Sequence, residues 1–173
     1  MKNIILIGMP GTGKSTVGVI LAKRLGFGFL DCDILISQRE GRTLPEILET
    51  DGLEHFLILE GQAGESIQCE KTVIATGGSM IFSPKAMDHL KQNSLTIWLD
   101  TPVSELEKRL SAGSRHDRGV AAPAELSIAE IYAQREALYA KYADHRILCE
   151  LGTDRVVAQI QDLLDGLREA GAR

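Results

Sequence analysis

The sequence predicts an α/β fold in which helices cover both faces of a parallel sheet. Short apolar runs, typical of buried parallel strands, alternate with longer helical segments along the whole chain. Several of those helical segments begin with residues that commonly cap a helix. With 173 residues and 44% hydrophobic content, the chain is long enough for one well-buried core and short for two. We therefore predict a single domain over residues 1–173.

The candidate strands are apolar runs separated by helical segments. In chain order they are Ile4–Ile7, Gly28–Leu30, Thr72–Ala75, Leu95–Leu99 and Arg146–Cys149. Strands that alternate with helices pair in parallel, and ligands then bind at the carboxyl ends of the strands.

Local patterns mark where the helices begin. They are the capping boxes Thr43–Glu46 and Ser127–Glu130, the similar segment Asp51–Glu54, and the pairs Ser83–Pro84 and Thr101–Pro102, which suggest a capping residue followed by proline at the first helical position. Residues 112–124, rich in Gly, Ala, Ser and charge, predict a mobile loop.

The turn after the first strand carries the pattern G-x-x-x-x-G-K-[ST] at residues 8–15. Glycines let backbone N–H groups curl around a phosphate, Lys14 can reach the β and γ oxygens, and the Ser15 hydroxyl can ligate Mg²⁺. The following helix adds the positive end of its dipole. We predict binding of a nucleoside triphosphate by Gly11, Thr12, Gly13, Lys14, Ser15 and Thr16.

Two aspartates, Asp31 and Asp33, follow the second strand. Residues i and i+2 of an extended segment share a face, so both carboxylates could enter the same cleft. One could hold hydrated Mg²⁺ while the other accepts a hydrogen bond from a substrate hydroxyl. The alternative is that one of them caps the helix beginning near Ile34.

Two further signals each have two interpretations. The third strand ends in Gly77-Gly78, which could admit a ligand close to the backbone or make a tight turn. Arg135 lies on a predicted helix, where a single arginine is usually solvated.

Composition and missing motifs exclude several classes of protein. A net charge of −5 leaves no basic surface for nucleic acid, and no apolar run is long enough to span a membrane, so we expect a cytoplasmic protein. Three cysteines without a C-x-x-C pair indicate neither a disulfide framework nor a zinc site. The guanine motif N-K-x-D of GTPases is absent from the sequence.

Together these residues resemble the shikimate kinases of the nucleoside monophosphate kinase-like group. The resemblance covers nearly the whole chain and includes the segments 8–15, Phe29–Asp33, Gly41–Phe56, Glu60, Gly77–Gly78, Arg109, and Arg135–Tyr139 with Ala143. It implies a three-layer P-loop kinase fold with a five-stranded parallel sheet flanked by helices, a substrate-binding helical segment at 32–61 and a lid at 112–124. It also implies transfer of the γ-phosphoryl group of ATP to the 3-hydroxyl of shikimate with Mg²⁺, a step of aromatic amino-acid biosynthesis, by what we expect to be a monomer.

The resemblance also implies roles for single residues. Lys14 and Ser15 would serve the phosphates and Mg²⁺, with Asp31 assisting the metal, and Asp33 would bind the substrate hydroxyl as the candidate base. The remaining roles are substrate contacts from Gly77 and Gly78, a grip on the substrate carboxylate by Arg135, an adenine contact by Arg109, and a phosphate contact from the lid by Arg118, with Arg115 as the alternative.

The departures from the family pattern lie on the acceptor side. Leu57 stands where the family has an arginine that forms half of a clamp on the shikimate carboxylate, and Ser79 replaces a third glycine. In the lid, Gly119 follows Arg118 where proline is usual. Two alternatives therefore stay open: a diverged kinase for another small hydroxylated metabolite, and a nucleotide-binding module without catalysis.

Overall fold

A computed structural model describes residues 2–110, 119–150 and 152–171 and confirms the predicted α/β class. The strands are β1 (Asn3–Ile7), β2 (Gly28–Asp31), β3 (Thr72–Ala75), β4 (Ser94–Asp100) and β5 (His145–Leu148). The helices are α1 (Lys14–Leu25), α2 (Cys32–Glu40), α3 (Leu44–Ser66), α4 (Pro84–Lys91), α5 (Val103–Arg109), α6 (Ile128–Tyr142) and α7 (Thr153–Gly171), with a 3₁₀ turn at Met80–Phe82.

The strands form one sheet in the order β2-β3-β1-β4-β5, and every neighbouring pair is parallel. All five predicted strands are present, with ends shifted by no more than one residue. This order puts the carboxyl ends of β1, β2 and β3 side by side. The segments that follow these three strands therefore meet at one edge of the sheet.

Alternation along β1 divides the core between the two faces of the sheet. Ile4 and Leu6 pack into a cluster with residues of α1 and α7, while Ile5 and Ile7 pack into a cluster with residues of α4 and α6. A third cluster joins α2 to α3 through residues such as Phe56. The fold thus has three layers, with the α2–α3 pair beside the sheet.

Most of the predicted helix starts are confirmed. Thr43 and Ser127 form complete capping boxes at α3 and α6, and the Ser83 hydroxyl accepts from the N–H of Ala86 at α4. The helix start predicted at Asp51–Glu54 lies at a kink inside α3, where Gly52 has φ 83°.

The cap predicted at Thr101 is wrong. Helix α5 begins at Val103, Pro102 occupies the capping position, and no described side chain caps this helix. Thr101 is buried directly after β4. This burial, and not a capping interaction, sets the position of its side chain.

Within the described ranges, none of the helices combines the length and the apolar character needed to cross a membrane. The three cysteines, Cys32, Cys69 and Cys149, are free thiols.

Candidate active site

The turn between β1 and α1 has the backbone shape of a phosphate cradle. Gly11 and Gly13 have φ angles of 82° and 90°, in the left-handed region that glycine adopts without strain. Gly13 occupies the capping position of α1, and among the described residues no side chain caps the helix there. The first N–H groups of α1 are therefore available to an anion.

Lys14 is buried at the start of α1, with 8% of its surface exposed. Its Nζ donates to the carbonyl oxygens of Gly8 at 2.8 Å and Met9 at 2.9 Å. Burial lowers the pKa of Lys14 to about 8, while the nearby carboxylates of Asp33 and Asp31 oppose that shift. Lys14 therefore remains largely protonated at neutral pH and lies close to both acids.

A cavity of about 280 Å³ opens beside this turn. Its lining comes from the phosphate turn, the α2 and α3 helices, the loop after β3, the end of the predicted lid, and α6. The lining residues are Pro10, Gly11, Gly13, Lys14, Ser15, Thr16, Asp33, Phe56, Glu60, Thr76, Gly78, Ser79, Gly119, Ala121 and Arg135. Most of the residues predicted for the site therefore meet in one place.

The two aspartates after β2 occupy different positions. Asp31 caps α2: its Oδ1 accepts from the N–H groups of Asp33 at 2.9 Å and Ile34 at 3.4 Å, as the capping alternative predicts. Asp33 lines the cavity, and burial raises its pKa to about 6, with Lys14 opposing the shift. Asp33 is therefore mostly ionised at neutral pH and faces the phosphate turn.

Arg135 is not solvated on its helix but almost completely buried, with 2% exposed. Its Nη1 donates to the carbonyl oxygen of Gly78 at 3.0 Å, and its Nη2 donates to that of Ala121 at 2.5 Å. The guanidinium lies 5.4 Å from the centroid of the Phe82 ring. The Tyr139 hydroxyl also donates to the Gly78 oxygen, at 2.6 Å. These contacts fix a buried cation on the cavity wall, opposite in sign to an acidic ligand.

Gly77 and Gly78 have different surroundings. A Cβ atom on Gly78 would stand 2.6 Å from the Pro10 ring, so only glycine lets the loop approach the phosphate turn. A Cβ atom on Gly77 would overlap Glu60 Oε1 and stand 2.9 Å from Asp33 Oδ1. Gly78 lines the cavity, whereas Gly77 makes room for two carboxyl groups and is not among the lining residues.

Glu60 and Ser79 also line the cavity, although the sequence predicted a role for neither and placed only Ser79 on the acceptor side. Ser79 Oγ donates to Glu60 Oε2 at 2.5 Å, and Glu60 is 1% exposed. A sequence signal for Glu60 exists: it shares a helical stripe with Phe56, Ala63 and Gly64, which are all buried. An acid on the apolar face of a helix is expensive unless it has a function or a partner.

Other predicted residues lie at the edge of the site or outside the described ranges. Arg109 Nη1 donates to the Gly11 carbonyl oxygen at 3.2 Å, at the rim of the phosphate turn. Leu57 is half-buried and is not among the lining residues of the cavity. Residues 112–118 of the predicted lid, which include Arg115 and Arg118, lie outside the described residues.

Comparison with known families decides which kind of P-loop protein this site belongs to. A profile of the family described as shikimate kinase matches residues 10–165. The chain belongs to the shikimate kinase family. The family members are phosphotransferases that act on an alcohol hydroxyl with ATP as co-substrate, and the chain is an enzyme of this class.

Relatives within the shikimate kinase family match most of the chain. A shikimate kinase from Clostridium botulinum (strain Eklund 17B / Type B) is 38% identical over 167 residues, which cover 95% of this chain and 98% of that protein. A shikimate kinase from Synechococcus sp. (strain RCC307) is 48% identical over 111 residues, or 64% of this chain and only 56% of that protein. The structure of shikimate kinase from Acinetobacter baumannii in complex with shikimate has a TM-score of 0.85 and 30% identity, and the alignment covers 96% of this chain and 94% of that one.

Membership of the shikimate kinase family accounts for the five-stranded sheet and for the meeting of the P-loop, Asp33 and Arg135. Two of the acceptor-side departures, Ser79 and Leu57, have different surroundings. Ser79 is buried and hydrogen-bonded to Glu60, while Leu57 is half-buried and is not among the residues that line the cavity.

Proposed function

We propose that this chain transfers the γ-phosphoryl group of ATP to the 3-hydroxyl of shikimate, giving shikimate 3-phosphate. The observation that carries the proposal is a single cavity that holds the phosphate turn, the Asp33 carboxylate and the buried guanidinium of Arg135. This combination suits an acceptor with both a hydroxyl and a carboxylate. The relative from Acinetobacter baumannii, whose solved structure contains shikimate, supports the choice of acceptor.

The reaction forms one bond and breaks one. The acceptor hydroxyl oxygen attacks the γ-phosphorus, the bond from that phosphorus to the bridging oxygen breaks, and ADP leaves with the electron pair. The hydroxyl proton passes to the Asp33 carboxylate, which is mostly ionised at neutral pH because its pKa is raised only to about 6. Lys14 and the N–H groups of the turn stabilise negative charge on the phosphate oxygens.

The donor set around the turn fits Mg²⁺ held mainly by phosphate oxygens and water. Among the described residues, no group of three or more His, Cys, Asp or Glu side chains could enclose a metal ion without other ligands. The Ser15 hydroxyl at the start of α1 and the Asp31 carboxylate, near Lys14, are oxygen donors of the kind that Mg²⁺ prefers. We propose that these two residues hold the ion directly or through water. Bound Mg²⁺ would neutralise charge on the β- and γ-phosphates.

Arg135 would hold the acceptor carboxylate. A guanidinium has five N–H donors, and the two hydrogen bonds to Gly78 and Ala121 leave others for a ligand. Those two bonds also fix the orientation of the group before the ligand arrives, which reduces the entropy lost on binding.

The remaining assignments belong to the same proposal. Arg109 would lie against the adenine, and Arg118, with Arg115 as the alternative, would reach the transferring phosphate from the lid. The segments 32–61 and 112–124 would act as the substrate-binding segment and the lid. We expect the enzyme to act as a monomer in the cytoplasm.

One observation favours a second candidate, a kinase for a different small hydroxylated acid or polyol. The half-buried Leu57 supplies no charge to the acceptor side, so only one half of the family's carboxylate clamp remains. An acceptor with a weaker requirement for a carboxylate would suit this cavity equally well.

A coupled ADP-release assay tests the proposal. The protein is supplied with Mg-ATP and either shikimate, a panel of other hydroxy acids and polyols, or no acceptor. We expect saturable turnover that depends on shikimate, with a product phosphorylated at the 3-hydroxyl. An Arg135→Gln variant should raise the KM for shikimate more than tenfold, because a charge-assisted hydrogen bond contributes about 1.5 to 3 kcal/mol.

The other outcomes are distinct. Turnover with a different acceptor, and none with shikimate, would establish the second candidate. ADP release at the rate of the acceptor-free control in every case would contradict both candidates.

A further inference from the structure

Glu60 is a buried acid on the acceptor cavity to which the proposed reaction gives no role. It is 1% exposed, and it lines the cavity together with Ser79, Asp33 and Arg135. The Ser79 hydroxyl donates to Oε2 and the Ser79 backbone N–H also faces the carboxyl group, but Oε1 is buried and makes no hydrogen bond of ordinary geometry with the described residues. A buried carboxylate oxygen without a donor is costly, and a bound proton lowers that cost because it removes the buried charge.

Charged and titratable groups face Glu60 from each neighbouring element. They are Lys14 of α1, Cys32 and Asp33 of α2, Arg135 and Tyr139 of α6, and the Ser79 hydroxyl in the loop after β3. Burial raises the pKa values of Cys32 and Tyr139 well above neutrality, so both groups are uncharged near pH 7. The described charges on the cavity wall are therefore two cations, Lys14 and Arg135, and two acids, Asp33 and Glu60.

This balance depends on a single proton. With Glu60 ionised, the described charges of the cavity wall cancel, and a carboxylate gains little from entering. With Glu60 protonated, the wall carries one net positive charge, and repulsion between Glu60 and the incoming carboxylate disappears. Burial raises the pKa of Glu60 to about 7, with the Ser79 hydroxyl opposing the shift, so both forms are populated in the free protein near neutral pH.

We propose that an anionic acceptor binds only to the form in which Glu60 is protonated, so that binding takes up one proton from solvent at Oε1. The inference rests on the proposed function, because it concerns the carboxylate of the acceptor. The proton goes to the oxygen that lacks a donor, while Oε2 keeps its bond to Ser79. Glu60 thus acts as a specificity-determining residue that makes the affinity for acidic acceptors dependent on pH.

Isothermal titration calorimetry measures this proton directly. Shikimate is titrated into the protein saturated with Mg-ADP, at pH 7 and pH 8, in buffers with different enthalpies of ionisation. We expect an uptake of about half a proton at pH 7 and nearly one at pH 8, and a Kd that rises about fivefold between these values, because the competent fraction falls. Both values follow from the pKa of about 7 for Glu60.

Three variants separate a proton-binding role from a structural one. Glu60→Gln should bind shikimate with little uptake and little dependence on pH over this range. Ser79→Ala removes a hydrogen bond that favours the ionised form, so the uptake at pH 7 should fall while Glu60 stays in place. Glu65→Gln makes the same change on the exposed face of the same helix and should retain the uptake of the wild-type protein.

Saturable binding of shikimate by the wild-type protein without proton uptake would overturn the inference and leave the proposed function intact. Full uptake in Glu60→Gln would overturn it as well. If the Glu60→Gln variant does not fold, the wild-type and Ser79→Ala measurements decide the question. Absence of shikimate binding by the wild-type protein at either pH would instead contradict the proposed function, and the inference with it.

Discussion

At the scale of single residues, the two aspartates after β2 occupy positions with different chemistry. One oxygen of Asp31 accepts hydrogen bonds from two backbone N–H groups of α2, while Asp33 faces Lys14 across the cavity. A cap residue tolerates an amide oxygen in place of a carboxylate oxygen, because asparagine caps helices as well as aspartate does. A general base does not tolerate this change, since an amide cannot accept the hydroxyl proton.

The Asp33→Asn variant should therefore lose about 100- to 10,000-fold in kcat, the usual contribution of acid–base catalysis. Its affinity for ADP should change little, because the N–H groups of the phosphate turn are untouched. Steady-state kinetics and ADP titration measure the two effects. Asp31→Asn is a control for the fold alone, because its amide oxygen should keep the cap of α2 while Asp31 is also proposed to hold Mg²⁺. Near-normal turnover of Asp33→Asn would contradict the base assignment.

Leu57 offers a second test at this scale. Replacing it with arginine adds a long cation to α3 next to Phe56 of the cavity wall, at the position where the resemblance to the family implies an arginine. If the cavity is shaped for shikimate, Leu57→Arg should lower the KM for shikimate by about tenfold or more, the value of one charge-assisted hydrogen bond.

The comparison in this test is the neutral Leu57→Met variant, whose KM should stay within about twofold of the wild type because the volumes are similar. Steady-state kinetics with shikimate at saturating Mg-ATP measures both variants. An unchanged KM in Leu57→Arg would indicate that the cavity serves another acceptor.

At the scale of helices and strands, α6 has a capping box at its start and carries a residue of the site further along. Ser127 and Glu130 form the capping box at its start, and Arg135 lies further along the same helix. Ser127→Ala should lower the free energy of unfolding by about 1 kcal/mol, because it leaves an N–H group of the first turn without its acceptor. Urea denaturation measures this change.

Ser104→Ala is the control for that substitution. Ser104 is exposed in the first turn of α5, where no described side chain caps the helix, so its loss should change stability by less than about 0.5 kcal/mol. Equal effects of the two substitutions would contradict the role of the cap.

The elements that could be predicted from the sequence are those specified by residues within or next to the element itself. The strand at Ile4–Ile7 is specified by its own apolar run, and the caps at Ser83 and Ser127 by their own side chains. The cap predicted at Thr101 failed because the burial of the end of β4 overrides the local pattern. Partners distant in sequence, such as Ser79 and Glu60, become visible only once the fold brings α3 against the loop after β3.

At the scale of the whole molecule, strand order assembles the site. The order β2-β3-β1 puts three strand ends side by side, which carry Asp33, Gly78 and the phosphate turn. The sequence indicates that these strands are parallel but contains no local signal for their order. The same assembly encloses two acids, Asp33 and Glu60, in one buried place, and their burial affects the stability of the entire fold.

The free energy of unfolding should therefore depend on pH through Glu60. Its pKa is about 7 in the folded protein and near the ordinary 4.5 in the unfolded chain. Between these values the folded state holds a proton that the unfolded state has released, so stability falls as the pH rises through this window and becomes level above it. For this group alone, the loss between pH 5 and pH 8 amounts to about 2 to 3 kcal/mol.

Glu60→Gln lacks this titration, whereas Asp33 titrates in both proteins. The difference in free energy of unfolding between the variant and the wild type should consequently shift in favour of the variant by about 2 to 3 kcal/mol between pH 5 and pH 8. Urea denaturation of the ligand-free proteins at several pH values measures it, and Glu65→Gln, on the exposed face of α3, should show a far smaller shift. A difference that stays constant with pH would mean that Glu60 ionises in the folded protein as it does in the unfolded chain. In that case the buried Glu60 side chain would hold no proton at neutral pH. An anionic acceptor would then face a carboxylate in the cavity wall.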